Sequence, residues 1–474
     1  MSRTSTVSAS SVLALSLASA ACLCARNAPA AAEATDSLVR EALQKSVLLF
    51  DANRSGPEAG EGNAFPWRRA CFVHDGEAIG RDLSGGFHDS GDHVKFGLPQ
   101  ASSAARLALA FELFREAFDP ATERRILAHL RHFADYLMKT VESPNVIYHQ
   151  VGDADFDHAY WGRPEDQEAQ PQRRGGRPRP LFKDTGADVA GCAAAYLALL
   201  AGIVRETDAP YAARCLGKAR EAFEYAEAHR TTTTGKGAFG RTYYASSDWR
   251  DDFALAGAAL FLATGERTYV EKVERLGLPL DSVSPPHWDS SHSLAYYLLF
   301  KATGKEKYRE ALSRAVESHL RAVRPNGLAF YDDHTWGTLR YSTGMAFSAA
   351  ICAREFGGSK YRDFVRGQVE YLLGRNEFGL SFMIGVGARW PQHPHHRASH
   401  TSPSDPQNRM LHELTGAMVG GPEHLGDARF AFRDSVENYI SSEVSLDYQA
   451  NCVGALAGLI AIEKDDRPAA GKAR

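Results

Sequence analysis

The sequence predicts an all-α protein built as an α/α barrel, an inner ring of helices inside an outer ring. Three observations predict it. Apolar residues recur at helical spacing in about twelve stretches, and most of these fall into sequential pairs only a few residues apart. Alternating strand-type runs are scarce, and no strand–helix–strand rhythm runs along the chain. An α-solenoid would need a repeating sequence period, which is absent.

Taken in order, the helical stretches read as 36–50, 97–118, 120–139, 186–206, 208–229, 249–264, 266–275, 289–303, 305–323, 340–356, 359–374 and 443–463. Asp36, Asp119 before Pro120, and Asp208 before Pro210 are start signals, because a side-chain oxygen there can accept the free N–H groups of the first turn. Gly265 and Gly304 follow Thr264 and Thr303 as stop signals. The stretches Leu107–Phe118 and Val189–Val204 are apolar over most of their circumference, as an inner layer packed on both sides requires. Long polar loops at 51–96, 142–185, 324–339 and 375–442 interrupt the pairs. They are rich in Gly, Pro, His, Trp and Asp, a composition that points to function. Within them, 168–181 reads as a flexible basic insertion.

The chain has 474 residues, 44% hydrophobic and 24% charged, with a net charge of −4. That balance gives no broad basic surface for nucleic acid or an anionic membrane. Residues 1–32 read as a signal peptide: Arg3, then an apolar run from Val12 to Leu23, then small residues at Ala28, Ala30 and Ala32. Cys22, after Ser19-Ala20-Ala21, is a candidate for lipid attachment. The remainder, 33–474, reads as a single catalytic domain with no segment continuously apolar enough to cross a membrane. Secretion or a periplasmic location is the expectation. The five cysteines beyond the leader are scattered singly and form neither a disulfide framework nor metal-ligand spacing.

Three stretches carry candidate chemistry. Leu83 to Gly97 holds Asp89 and Asp92 in a glycine-rich loop just before a helix, where two carboxyls can hold one water from two sides. An Asx turn with capping acids is the competing reading. Phe432 to Gln449 holds Glu443 at the start of the last helix, against an apolar pattern. Desolvation there favours the neutral acid and the helix N-terminus favours the charged one, so the sequence leaves its state open. Gly385 to Arg397 holds His393, His395 and His396, but Pro394 forces an extended chain and removes helical metal-ligand spacing. Hydrogen bonding to hydroxyl groups is the favoured role.

Together these stretches resemble glycoside hydrolase family 9, the family of many cellulases. Leu83 to Gly97 is similar to its aspartate block, His395–Arg397 near Ser381–Gly387 to its histidine signature, and Phe432–Tyr448 to its Asp/Glu signature. Asp157–Trp161, Tyr243–Ser247, Trp336–Tyr341 and Tyr371–Gly379 agree in the same order, so the resemblance runs from about 45 to 460.

The resemblance implies an (α/α)6 barrel with an open cleft and inverting hydrolysis of β-1,4-glucosidic bonds, as an endoglucanase. Asp92 is then the general base, Asp89 positions the same water, and Glu443 is the general acid. His158, Trp161, Tyr244, Trp336, Tyr341, His395, Arg397 and Tyr448 would line the sugar subsites, with plain packing as the alternative for Trp161, Trp288 and Trp390. No cofactor is expected for catalysis. A structural Ca²⁺ is expected at Ser247, Asp248, Asp251, Asp252 and Asp289, although Asp248 stands for a usual Gly and Asp252 for a usual Glu. Ser442 and Gln449 replace common Asn residues, as does His93, which bears on subsite preference. The expected partner is a β-glucan polysaccharide or oligosaccharide, with no nucleic acid and a monomeric state. Alternatives are an exo-acting cellodextrinase, an exo-β-glucosaminidase on chito-oligosaccharides, and a non-catalytic glycan-binding protein.

Overall fold

The computed structural model describes residues 35–465 except 143–144, 184, 332–333, 401–409 and 427–428. The expected leader, Cys22 and the C-terminal tail lie outside the described residues.

Helices of two kinds alternate along the chain. Gly97–Leu113, Ala187–Val204, Arg250–Thr264, His292–Thr303, Thr338–Phe356 and Leu446–Asp465 are buried over most of their length. Between them come 35–53 and Pro120–Thr140, Ala209–Ala228, Thr268–Leu276, Glu306–Arg321 and Ser359–Leu372, each with one buried stripe and one wet face. The first set forms the inner ring and the second the outer ring of an (α/α)6 barrel. The last inner helix packs against the first, and Arg106 bonds Asp447 across 341 residues of sequence to close the ring.

Small residues allow the inner helices to approach closely. A Cβ on Gly454 would meet the Phe347 ring at 2.6 Å, and one on Gly458 would meet the Ala350 Cβ at 2.5 Å. One inner helix, Ala187–Val204, reaches a mean hydropathy of 1.9. By length and composition it could cross a membrane, which corrects the sequence expectation, but 83% of it is buried inside the protein. Its apolar surface serves the barrel wall.

The start and stop signals operate as read at most positions. Asp119 accepts from Ala121 N at 2.8 Å, Asp208 accepts from Tyr211 N at 3.2 Å, and Gly265 and Gly304 close their helices in the left-handed region. Asp36 lies inside the helix, which is already running at Thr35. Strands among the described residues are two residues long. The largest sheet joins Lys95–Phe96, Gln150–Val151 and Leu181–Phe182 antiparallel. It ties the loop before the first inner helix to the 142–185 loop. In the 168–181 segment Arg179 is buried, with its guanidinium on Asp75 at 3.0 Å and on the carbonyls of His93 and Val151. The long loops gather at the end of the barrel where Asp89, Asp92 and Glu443 lie.

Candidate active site

The loop carrying Asp89 and Asp92 is held from below by buried polar groups. Asn53 donates its side-chain N–H groups to the carbonyls of His88 and Ser90, at 3.1 and 2.7 Å. Asp92 N donates to Asp89 O at 2.8 Å, closing a tight turn between the two aspartates. Ser90, inside that turn, takes φ = +49°, a strained conformation for a residue with a side chain. Lys95 is fully buried on Asp75 at 2.8 Å and on the carbonyls of Leu83 and Gly85. Burial pushes this lysine down to about 8.

Both aspartates are buried, yet they face different partners. The Tyr244 hydroxyl donates to Asp89 Oδ2 at 2.7 Å, whereas Asp89 Oδ1 is buried with no partner. Desolvation raises Asp89 well above the usual carboxylate range, the tyrosine hydrogen bond opposes this, and the charges of Asp92 and Glu443 add to it. Asp92 forms an ion pair with Arg397, and its Oδ2 lies 3.3 Å from His158 Nδ1.

Glu443 differs from its expected placement. The last helix starts at Leu446, and Glu443 is extended (φ −61°, ψ 143°) just after the short helix Tyr439–Ser442. Tertiary pairing holds it there. Glu443 bridges His395 in parallel, its carbonyl accepts from Gly420 N, and Ser442 O accepts from His395 N. The acid therefore lies three residues ahead of the helix start. Desolvation raises Glu443 above the ordinary glutamate range. Hydrogen bonds from Trp336 Nε1 at 2.8 Å and Tyr448 OH at 3.1 Å oppose it, and the charge of Asp92 adds to it.

The segment His395–Arg397 fixes the spacing of the two sides. His395 pairs with Glu443, while Arg397 N donates to Gly91 O at 3.0 Å. A two-residue extended step of roughly 7 Å thus separates the two attachments. A Cβ on Gly91 would meet His395 O at 2.5 Å, so only glycine lets the loop come this close.

The other expected site residues separate into exposed faces and buried supports. The Trp336 indole is 45% exposed and packs on Tyr439 at 4.9 Å, which leaves a face for a sugar ring. Trp161 stands edge-on to His395 at 5.3 Å with the Arg397 guanidinium 5.0 Å from its ring. Trp288 and Trp390 both pack against the main hydrophobic core, and Trp288 also stands edge-on to Tyr244. Tyr341 and Tyr448 are buried, so neither offers a ring face. Tyr448 contributes its hydroxyl to Glu443, and Tyr341 is bonded by Arg340 at 3.2 Å. His395 donates to or accepts from its neighbours as a neutral imidazole, because burial pushes it down to about 4. The three histidines diverge: His393 donates its main-chain N–H to Asp434, while the His395 ring meets Val436 O and the His396 ring meets Asn53.

Sequence reading missed the support beneath Glu443. Asp447 is buried between Arg106 and Arg340, and the Arg340 guanidinium lies over both tyrosine rings, 4.7 Å from Tyr341 and 5.0 Å from Tyr448. Arg106, the only charged residue between 97 and 111, was the available signal, since a charge facing an inner helix layer demands a partner.

The expected calcium ligands form a cluster that suits a cation only in part. Asp289 Oδ1 accepts from Ser247 N, and Asp251 Oδ2 accepts from Ser291 N and faces His292 at 3.1 Å. Asp251 Oδ1 is buried without a partner. Asp252, however, turns to Cys192 and Ser291, and the Asp248 carboxylate is engaged by Arg250. Among the described residues no three His, Cys, Asp or Glu side chains form a set that could hold a metal.

The sequence model of glycosyl hydrolase family 9 matches residues 40–456. The chain is 36% identical to Endoglucanase A of Bacillus pumilus over 450 residues, covering 89% of this chain and 66% of that protein. It is 32% identical to Endoglucanase 23 of Oryza sativa subsp. japonica, covering 89% of each. The chain thus spans about two thirds of the bacterial relative and most of the plant one. Its fold superposes on the cellulase Cel9M of C. cellulolyticum with a TM-score of 0.81 at 36% identity, covering 89% of this chain and 98% of that one. Endoglucanase CelQ from Clostridium thermocellum, complexed with cellotriose, matches at a TM-score of 0.76 and 32% identity, covering 89% and 70%. Aspartates on a strained turn, a glutamate held by an indole, and sequence agreement from end to end of the barrel lead to one conclusion: the chain belongs to glycosyl hydrolase family 9.

Proposed function

We propose that this protein is an inverting endo-β-1,4-glucanase acting on cellulose or a related β-glucan. The observation that carries the reading is the pair of unlike carboxyl environments on either side of the His395–Arg397 spacer. Asp92, ion-paired with Arg397, serves as the base and takes a proton from water. Asp89, whose carboxyl burial biases toward the neutral form, holds that water through Oδ1. Glu443, raised by desolvation, gives its proton to the departing glycosidic oxygen. Cellulase relatives solved with cellobiose or cellotriose support a β-glucan as the substrate class.

The test is a product profile on a soluble cellulose derivative, cellohexaose and chitosan oligomers side by side. Internal cuts, seen as a fast fall in viscosity with mixed oligosaccharide products, are expected on the first two. Release of a single small product from one chain end would replace endo action by the exo reading. Turnover of chitosan oligomers alone would replace the glucan.

Export, a monomeric state and a structural calcium belong to the same proposal. The leader at 1–32 supports export, and the buried, unpartnered Asp251 Oδ1 supports the ion. A melting temperature that falls with EDTA and recovers with added Ca²⁺ is expected. No response to either would exclude the ion.

A further inference from the structure

A second aromatic position stands apart from the subsites described above. Phe239, at the tip of the hairpin formed by Gly235–Lys236 and Thr242–Tyr243, is 73% exposed. An apolar ring so open to water gains free energy from any flat apolar partner that covers it.

The hairpin is built to hold that ring in place. Asp155, buried, accepts Phe239 N through Oδ2 at 2.7 Å and the Tyr243 hydroxyl through Oδ1 at 2.7 Å. Any Cβ on Gly237 would collide with the Asp155 carboxylate, so the turn is pressed directly onto it. Phe156 stands edge-on behind Phe239, with centroids 5.7 Å apart and planes at 86°. A T-shaped backing of this kind fixes the orientation of the outer ring while leaving its face free.

The platform is continuous with the catalytic centre. The Tyr243 ring lies 5.3 Å from that of His158, and His158 Nδ1 lies 3.3 Å from Asp92 Oδ2. Asp155, Phe156 and His158 share one short helix, Ala154–His158, and the next residue after Tyr243 is the Tyr244 that bonds Asp89. A polymer threaded past His158 and Tyr244 would therefore meet the Phe239 hairpin beyond them.

We infer that Phe239, backed by Phe156, is an outlying sugar subsite that stacks on a pyranose ring of a β-glucan chain extending past the catalytic centre. The inference rests on the glucanase reading and gives it a chain-length preference. The pyranose ring is the occupant because its apolar face matches an isolated aromatic, and no charged side chain is needed to hold it.

The test compares Phe239→Ala and Phe239→Trp with the wild type on cellotriose, cellohexaose and a soluble cellulose derivative. The alanine variant should lose roughly tenfold in kcat/KM on the polymer, about the worth of one covered aromatic face, with unchanged activity on cellotriose. The tryptophan variant should restore the polymer rate. An equal loss on every chain length, or no loss on any, would overturn the subsite while leaving the glucanase reading intact. A wild type inert on all three substrates would overturn the glucanase reading, and the subsite with it.

Discussion

The two sides of the site handle a carboxyl group in opposite ways. On the Asp92 side the neighbours are a guanidinium and an imidazole, and an ion pair with Arg397 balances the carboxylate. On the Glu443 side the neighbours are an indole N–H and a phenol O–H, which can bond the group whether or not it is charged. Burial is common to both sides, so burial alone does not assign base and acid. The nearest partner decides: a formal cation beside one carboxyl, and neutral donors with desolvation beside the other. Arg340 stands behind Glu443 as a cation at second remove, committed to Asp447 and to two tyrosine rings.

The largest expected effect comes from removing either carboxyl. Asp92→Asn and Glu443→Gln should each lower kcat by about 10²–10⁴-fold with the thermal unfolding transition retained, because each deletes one proton-transfer step. Near-normal rates of reducing-sugar release in both variants would contradict the assignment.

A smaller effect separates the two sides by their pH behaviour. Trp336 Nε1 bonds the charged form of Glu443 and so lowers its pKa. Trp336→Phe removes that bond while keeping an aromatic face. Glu443 works as an acid only while protonated, so the alkaline limb of the kcat/KM profile should move to higher pH. A limb that stays in place, or moves down, would show that the indole does not bear on the acid.

The smallest effect concerns stability. Because the folded state raises the pKa of Glu443, it binds the proton more tightly than the unfolded chain does. Stability from this group is present at low pH and is lost as pH rises from the ordinary glutamate range through the raised folded value. Glutamine does not titrate. Glu443→Gln should therefore gain in melting temperature relative to wild type across that window, with the advantage shrinking as pH falls below it. A difference that is constant with pH would exclude a raised pKa at this position.

Much of this arrangement was legible in the sequence, and the limits have physical causes. The inner helices announced themselves because a helix buried all round must be apolar all round, as in Ala187–Val204. Asp89 and Asp92 were legible because they are three residues apart in one glycine-rich loop. The start of the last helix was misplaced by three residues. The apolar pattern continues back through Val444, but the main chain at Glu443 is claimed by His395 and Gly420, partners distant in sequence. Tyr448 matched a family motif yet works through its hydroxyl, since the ring is packed beneath Arg340. The Arg106–Asp447–Arg340 cluster joins three helices, and no local pattern records such a contact.

The stereochemistry of the first product tests the central claim most directly. If Asp92 directs water to one face of a sugar while Glu443 protonates the oxygen leaving the other, NMR during early turnover of cellohexaose must show the α-anomer before mutarotation. Early appearance of the β-anomer would mean that a carboxyl attacks the sugar itself, and the division of roles between the two sides would fall.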